Sequence, residues 1–140
     1  MTILIADDDR GLVLLLSRHF LKRGFEVVGA YDAMQASNAV VRQPIDAVIL
    51  DIQMPAGTGY EVLKRMRSNP KTSLIPVVVL TGSIQAGEEQ KVKAMGADVF
   101  LKKPVDLAEL DSVMAALLGA PASPAGLGVP AGSRSAPQKT

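Results

Sequence analysis

Residues 3–9, Ile3-Leu4-Ile5-Ala6-Asp7-Asp8-Asp9, set an unbroken apolar run directly against three carboxylates. In the stretch that follows, Leu12, Leu15, Leu16 and Phe20 recur every three or four positions. An apolar run that short reads as a buried strand, and the change of period after it reads as an amphipathic helix. The same alternation continues along the chain. Strands are expected at 2–6, 26–30, 46–50, 76–80 and 97–101, and helices near 10–23, 33–42, 58–68, 86–95 and 106–118. Asp32, Thr58 and Asp106 suit helix N-caps, while Gly24 and Gly96 suit the left-handed residue after a helix end. Strands with so little polar interruption fit a parallel sheet covered on both faces. Right-handed crossovers then make five βα units an open, doubly wound α/β sheet, since five are too few for a barrel.

Composition agrees with that fold and removes several chemistries. The 140 residues are 48% apolar and 21% charged, with 15 Lys plus Arg against 14 Asp plus Glu. This suits one globular domain and gives no reason to expect a polyanionic partner. There is no cysteine, which excludes disulfides, thiolate nucleophiles and Cys-ligated metals, and a lone histidine, His19, leaves little room for a Ser/His/Asp triad. The N-terminus lacks the basic and apolar regions of a secretory signal, so a cytoplasmic location is expected. Residues 112–133 are uncharged, but Pro121, Pro124 and Pro130 forbid a continuous membrane helix there. Composition changes at Gly119, after which Pro, Gly, Ala and Ser dominate. The domain is therefore expected to span 1–118, with 119–140 a flexible tail or linker.

In an open parallel sheet, ligands bind beyond the carboxyl ends of the strands. Those positions hold Asp7, Asp8 and Asp9 after the first strand, Asp51 after the third, Thr81, Gly82 and Ser83 after the fourth, and Lys102, Lys103 and Pro104 after the fifth, with Asp32 after the second expected outside the crevice. With the first strand beside the third, Asp7, Asp8 and Asp51 gather in one crevice. Carboxylates about 4 Å apart repel by roughly 4 kcal/mol at an effective dielectric near 20, so cations have to share the site. An all-oxygen donor set fits a hard ion, Mg²⁺ better than Ca²⁺, and Lys103 offers a second positive charge. A carboxylate facing both is a nucleophile suited to phosphorus, which describes an aspartyl-phosphate site.

The motifs Ile3-Leu4-Ile5-Ala6-Asp7-Asp8-Asp9, Asp51-Ile52-Gln53-Met54-Pro55 through Gly59, Leu80-Thr81-Gly82 and Phe100-Leu101-Lys102-Lys103-Pro104, in this order, resemble the receiver domain of two-component response regulators, CheY-like, over about residues 1–118. The resemblance implies a flavodoxin-like (βα)5 fold with strand order 2-1-3-4-5. It implies Asp51 as phosphoacceptor, Asp7, Asp8 and Asp51 with the Gln53 backbone carbonyl around Mg²⁺, Lys103 as the phosphate-binding lysine, Thr81 as the switch hydroxyl and Phe100 as the aromatic switch residue. It further implies a phosphorelay role: a histidine kinase or histidine phosphotransfer protein donates the phosphoryl group, and the surface of the fourth helix, fifth strand and fifth helix changes to control a partner, an output domain or a homodimer. Beyond self-phosphorylation and autodephosphorylation no enzyme activity is implied, nor direct contact with nucleic acid or membrane. The acidic run is one residue longer than the pair this needs, leaving Asp9 to cap or be solvated. Lys102 is expected to point away from Lys103 by strand alternation.

Other roles for these residues have simpler forms. Phe100 on a strand also fits core packing, His19 reads as a helix-surface residue, and Met34, Met54, Met66, Met95 and Met114 read as core or near-core packing. An aspartate-nucleophile phosphatase of the haloacid-dehalogenase type would also use a strand-end Asp and Mg²⁺, but its D-x-D pattern has Gln53 in the third position here. A receiver fold serving only as a docking surface would not need Asp51, Thr81 and Lys103 together. No glycine-rich nucleotide loop follows the first strand.

Overall fold

The computed structural model describes residues 1–55, 58–82 and 85–119. Strands β1 (Thr2–Ala6), β2 (Glu26–Ala30), β3 (Ala47–Asp51), β4 (Val77–Thr81) and β5 (Val99–Lys102) alternate with helices α1 (Arg10–Lys22), α2 (Ala33–Arg42), α3 (Gly59–Ser68), α4 (Glu88–Ala94) and α5 (Leu107–Leu118). All strands are parallel, in the order β2-β1-β3-β4-β5, the doubly wound α/β order expected.

The two faces of the sheet separate by strand alternation. Ile3 and Ile5 of β1, Ile49 of β3 and Leu80 of β4 pack with Val13, Leu16 and Phe20 of α1 and Leu110 and Met114 of α5. Leu4, Leu50 and Val79 point the other way, onto Ala36 and Val40 of α2, Leu63 and Met66 of α3 and Val92 of α4. β1, β3 and β4 are therefore apolar on both faces, and each fully buried aliphatic side chain contributes about 1.5–3 kcal/mol relative to an exposed one. The expected caps hold: Asp32 and Asp106 accept backbone N–H groups of α2 and α5, and Gly24 and Gly96 take φ of +88° and +110°. Thr58 N-caps α3, where the Glu61 carboxylate returns to the Thr58 N–H at 3.3 Å.

Some expectations are corrected. β3 and β4 begin and end one residue later than expected, so Asp51 and Thr81 are themselves the last strand residues, and β5 begins two residues later and ends one later. α4 is shorter than its apolar spacing suggested, because its N-cap Gly87 sits at φ +81°. His19 is not a surface residue: its side chain is 12% exposed, with Nε2 2.8 Å from Asp111 Oδ1 on α5. Met34 is 65% exposed, since Ala33 and Ala36 take the buried face of α2. Except for Gly119, which caps α5 in the left-handed region, the expected tail lies outside the described residues, as does Ser83.

Candidate functional site

The direction in which strands are added to the sheet switches between β1 and β3, and there the register does the assembling. Ala6 pairs with Leu50, so the next residue on each strand, Asp7 and Asp51, lies side by side at the carboxyl edge. On the other flank Asp51 pairs with Leu80, and Thr81 with Lys102. Lys103 follows, its N–H donating to the Thr81 carbonyl at 2.8 Å. Lys102 is exposed while Lys103 turns inward, as strand alternation requires.

Asp7 and Asp51 are buried, at 2% and 4% exposure, and Asp8 is exposed beside them. Ligand oxygens of the three carboxylates lie within 4.8 Å of one another. Lys103 Nζ stands 2.8 Å from Asp7 Oδ2 and 3.3 Å from Asp51 Oδ2. The shorter of the two contacts is the one to Asp7, whose buried Oδ2 is thus held by the Lys103 ammonium. The remaining oxygens are fixed locally: the Asp9 N–H donates to Asp7 Oδ1 at 2.9 Å and the Gln53 N–H to Asp51 Oδ1 at 3.0 Å. Asp9 itself caps α1 by accepting from the Leu12 N–H. Asp32, the N-cap of α2, takes no part in the cluster.

α3 is seated directly on this loop. The Gly59 N–H donates to the Ile52 carbonyl at 2.9 Å, and a Cβ at Gly59 would overlap the Asp51 carbonyl oxygen and come 2.7 Å from Ile52 Cα. Glycine is required there by proximity. Gly82, by contrast, is exposed and opens toward the Lys103 side chain, whose Cδ a Cβ would meet at an ordinary 3.8 Å.

Electrostatics follow from the burial. Desolvation pushes the Asp51 carboxyl above its usual range and the Asp7 charge adds to this, against the lowering effects of the Gln53 N–H and Lys103. Desolvation pulls the Lys103 ammonium down, but its hydrogen bonds to and charge attraction with Asp7 and Asp51 outweigh it, and the net shift is upward. The cluster thus holds a charged lysine against two neighbouring carboxylates, one of them, Asp51, raised above its usual range by burial.

Thr81 is fully buried at the end of β4. Phe100 pairs with Val79 in the register and is half-buried, packing against the core on the α2–α4 face. The structure brings Asp7, Asp8, Asp51 and Lys103 together, with Gln53 and Thr81 adjoining, and holds Phe100 further down β5. One neighbouring arrangement was not visible in the sequence. The Tyr60 hydroxyl donates to Glu88 Oε2 at 2.9 Å, and Lys91 Nζ lies 4.2 Å from the Tyr60 ring, tying α3 to α4 beside Gln53 and Met54. Only the relative placement of two helices reveals it.

Comparison with known proteins agrees with this geometry. Residues 3–115 match the family described as response regulator receiver domain. The transcriptional regulatory protein TctD of Salmonella typhimurium is 35% identical over 118 residues, 84% of this chain and 52% of TctD. The chain spans about half the length of the curated relatives it matches. Among solved structures, the chemotaxis response regulator CheY4 of Vibrio cholerae superimposes with a TM-score of 0.78 at 28% identity, covering 84% of this chain and 98% of that one. The response regulator TrrA of Thermotoga maritima, solved in complex with Mg²⁺ and BeF, has a TM-score of 0.74 at 27% identity, covering 84% and 98%. With the sheet order, the acidic cluster at the switch point and the family match all in agreement, the chain belongs to the response regulator receiver domain family.

Proposed function

We propose that this receiver domain takes a phosphoryl group onto Asp51 from a phosphorylated histidine of a sensor kinase or phosphotransfer protein. The observation that carries this is the Lys103 ammonium held between the buried carboxylates of Asp7 and Asp51. An Asp51 oxygen attacks phosphorus as the bond from phosphorus to the donor imidazole nitrogen breaks, and the imidazole leaves with that electron pair. Lys103 stays in place throughout and neutralises the phosphoryl oxygens. The Gln53 N–H fixes Asp51 Oδ1 and so orients the carboxylate.

The donor set fits Mg²⁺. It is all oxygen, its ligand atoms lie within 4.8 Å of one another, and two of its three carboxylates are buried, so that a single ammonium faces three acidic groups. Asp7, Asp8 and Asp51, with the backbone carbonyl of Gln53, would hold the ion. When bound it supplies positive charge that stabilises the oxygens of the transferred group. That TrrA was solved with Mg²⁺ and BeF supports this assignment.

Thr81 and Phe100 are the proposed relay, the hydroxyl turning toward the phosphoryl group and the ring following, so that α4, β5 and α5 present a changed surface to a partner, an output domain or a second copy. Residues 119–140 are proposed as the linker toward such an output. No described helix is long and apolar enough to cross a membrane, and a cytoplasmic location is proposed with the phosphorelay role. The activity is confined to Mg²⁺-dependent self-phosphorylation and autodephosphorylation. Incubation with acetyl phosphate and Mg²⁺ should add one phosphoryl group by intact mass, and chelation should abolish the gain. Asp51→Asn gaining the group at the wild-type rate would refute the assignment.

A further inference from the structure

On the face of the sheet away from α1 and α5, a groove of about 450 Å³ runs between α2 and α3. Its floor is apolar, from Val40 and Met66, and its two walls carry one arginine each, Arg42 on α2 and Arg65 on α3. Among the described residues no acidic side chain lines it. Among the described residues, neither guanidinium has a carboxylate within ion-pair distance. Arg65 would ordinarily pair with Glu61 one turn earlier, but Glu61 is turned back to accept the Thr58 N–H. Arg23 and Arg67, by contrast, are each engaged by an aspartate. The groove therefore offers two guanidiniums outside any ion pair, one on each wall, with the side chains of Asn38 and Asn69 beside them and Glu61 in the adjoining cavity next to Arg65.

We propose that the α2–α3 groove binds a small phosphate monoester, its dianionic head between Arg42 and Arg65 and its apolar body over Val40 and Met66. Two guanidiniums match a dianion in charge, and their forks match phosphate oxygens in geometry. An apolar floor gives the remainder of the molecule a surface to bury. The site is separate from the Asp51 crevice and stands whether or not Asp51 is the phosphoacceptor.

The test is a titration of the ¹⁵N-labelled full chain, followed by backbone amide and arginine Nε–H shifts at constant ionic strength. The ligands are phenyl phosphate, inorganic phosphate and the neutral benzyl alcohol. Phenyl phosphate should give saturable shifts at Asn38, Arg42, Arg65 and Asn69, with a Kd at least tenfold below that of inorganic phosphate, and benzyl alcohol should not saturate. Arg42→Gln and Arg65→Gln, both at exposed positions that leave the fold intact, should each weaken phenyl phosphate at least tenfold. Arg18→Gln, which removes an exposed arginine on α1, should leave it unchanged. Shifts confined to Asp51 and Lys103, equal weakening by Arg18→Gln, or a Kd indifferent to the two groove arginines would each overturn the proposal.

Discussion

Replacing Lys103 by Met keeps most of the aliphatic stem and removes the charge between Asp7 and Asp51. At separations of 2.8 and 3.3 Å, the two attractions amount to about 5–6 kcal/mol each at an effective dielectric near 20, before the cost of burying the ammonium. That cost offsets much of the gain, and breaking a buried pair by removing one member costs about 3–5 kcal/mol in practice. For a domain of this size such a loss lowers Tm by roughly 10–25 °C in metal-free buffer. The deficit has a defined pH dependence. Without the ammonium, the Asp51 carboxyl, already raised by burial, binds its proton more tightly folded than unfolded, so stability falls as pH rises from the ordinary carboxylate range through its folded value. Lys103→Met should therefore be most destabilised near neutrality and approach wild type on acidification. Added Mg²⁺ should restore part of the loss by binding only the folded state. Urea unfolding with EDTA or Mg²⁺, across the acid-to-neutral range, is the assay. A loss no larger than the roughly 0.5 kcal/mol of an ordinary surface substitution, or a deficit indifferent to pH, would refute the electrostatic reasoning.

Asp51→Asn removes a carboxyl whose folded pKa is raised mainly by burial. The metal-free variant should therefore be more stable than wild type at neutral pH, with the gap closing on acidification, as urea midpoints across pH would report. Thr81→Ala should still accept phosphate while losing most of the phosphorylation-dependent NMR shifts on α4 and β5. The charge-assisted hydrogen bond it deletes is worth about 1.5–3 kcal/mol, a roughly ten- to hundredfold bias between states. Gly59→Ala forces a methyl against the Asp51 carbonyl and Ile52 Cα. It should cost about 1–3 kcal/mol by denaturant unfolding and slow phosphorylation by displacing the loop.

The strand-end residues made the site legible in the sequence because a parallel sheet aligns its carboxyl ends, so Asp7, Asp51 and Lys103 needed only the strand order to be brought together. The exact strand ends were less legible: Asp51 and Thr81 carry no local signal that they still pair in the sheet, and only their partners Leu80 and Lys102 decide it. His19 read as a surface residue because its partner Asp111 lies 92 positions away. Met34 read as packing because apolarity was weighed over phase: alanines at 33 and 36 hold the buried stripe of α2, and Met34 falls outside it. The groove arginines were invisible for a related reason. Arg65 sits one turn from Glu61 and looks paired until the helix N-terminus claims that carboxylate.

Three carboxylates share the crevice, and phosphotransfer to one of them can be located chemically. Borohydride reduces an acyl phosphate on aspartate to homoserine, so the domain phosphorylated with acetyl phosphate and Mg²⁺, then reduced and digested, carries the mark at the phosphorylated position. Homoserine at position 51, and at neither 7 nor 8, is the result expected from a carboxylate oriented by the Gln53 N–H and faced by Lys103. Homoserine at position 7 or 8, or none despite a gained phosphoryl group, would contradict it.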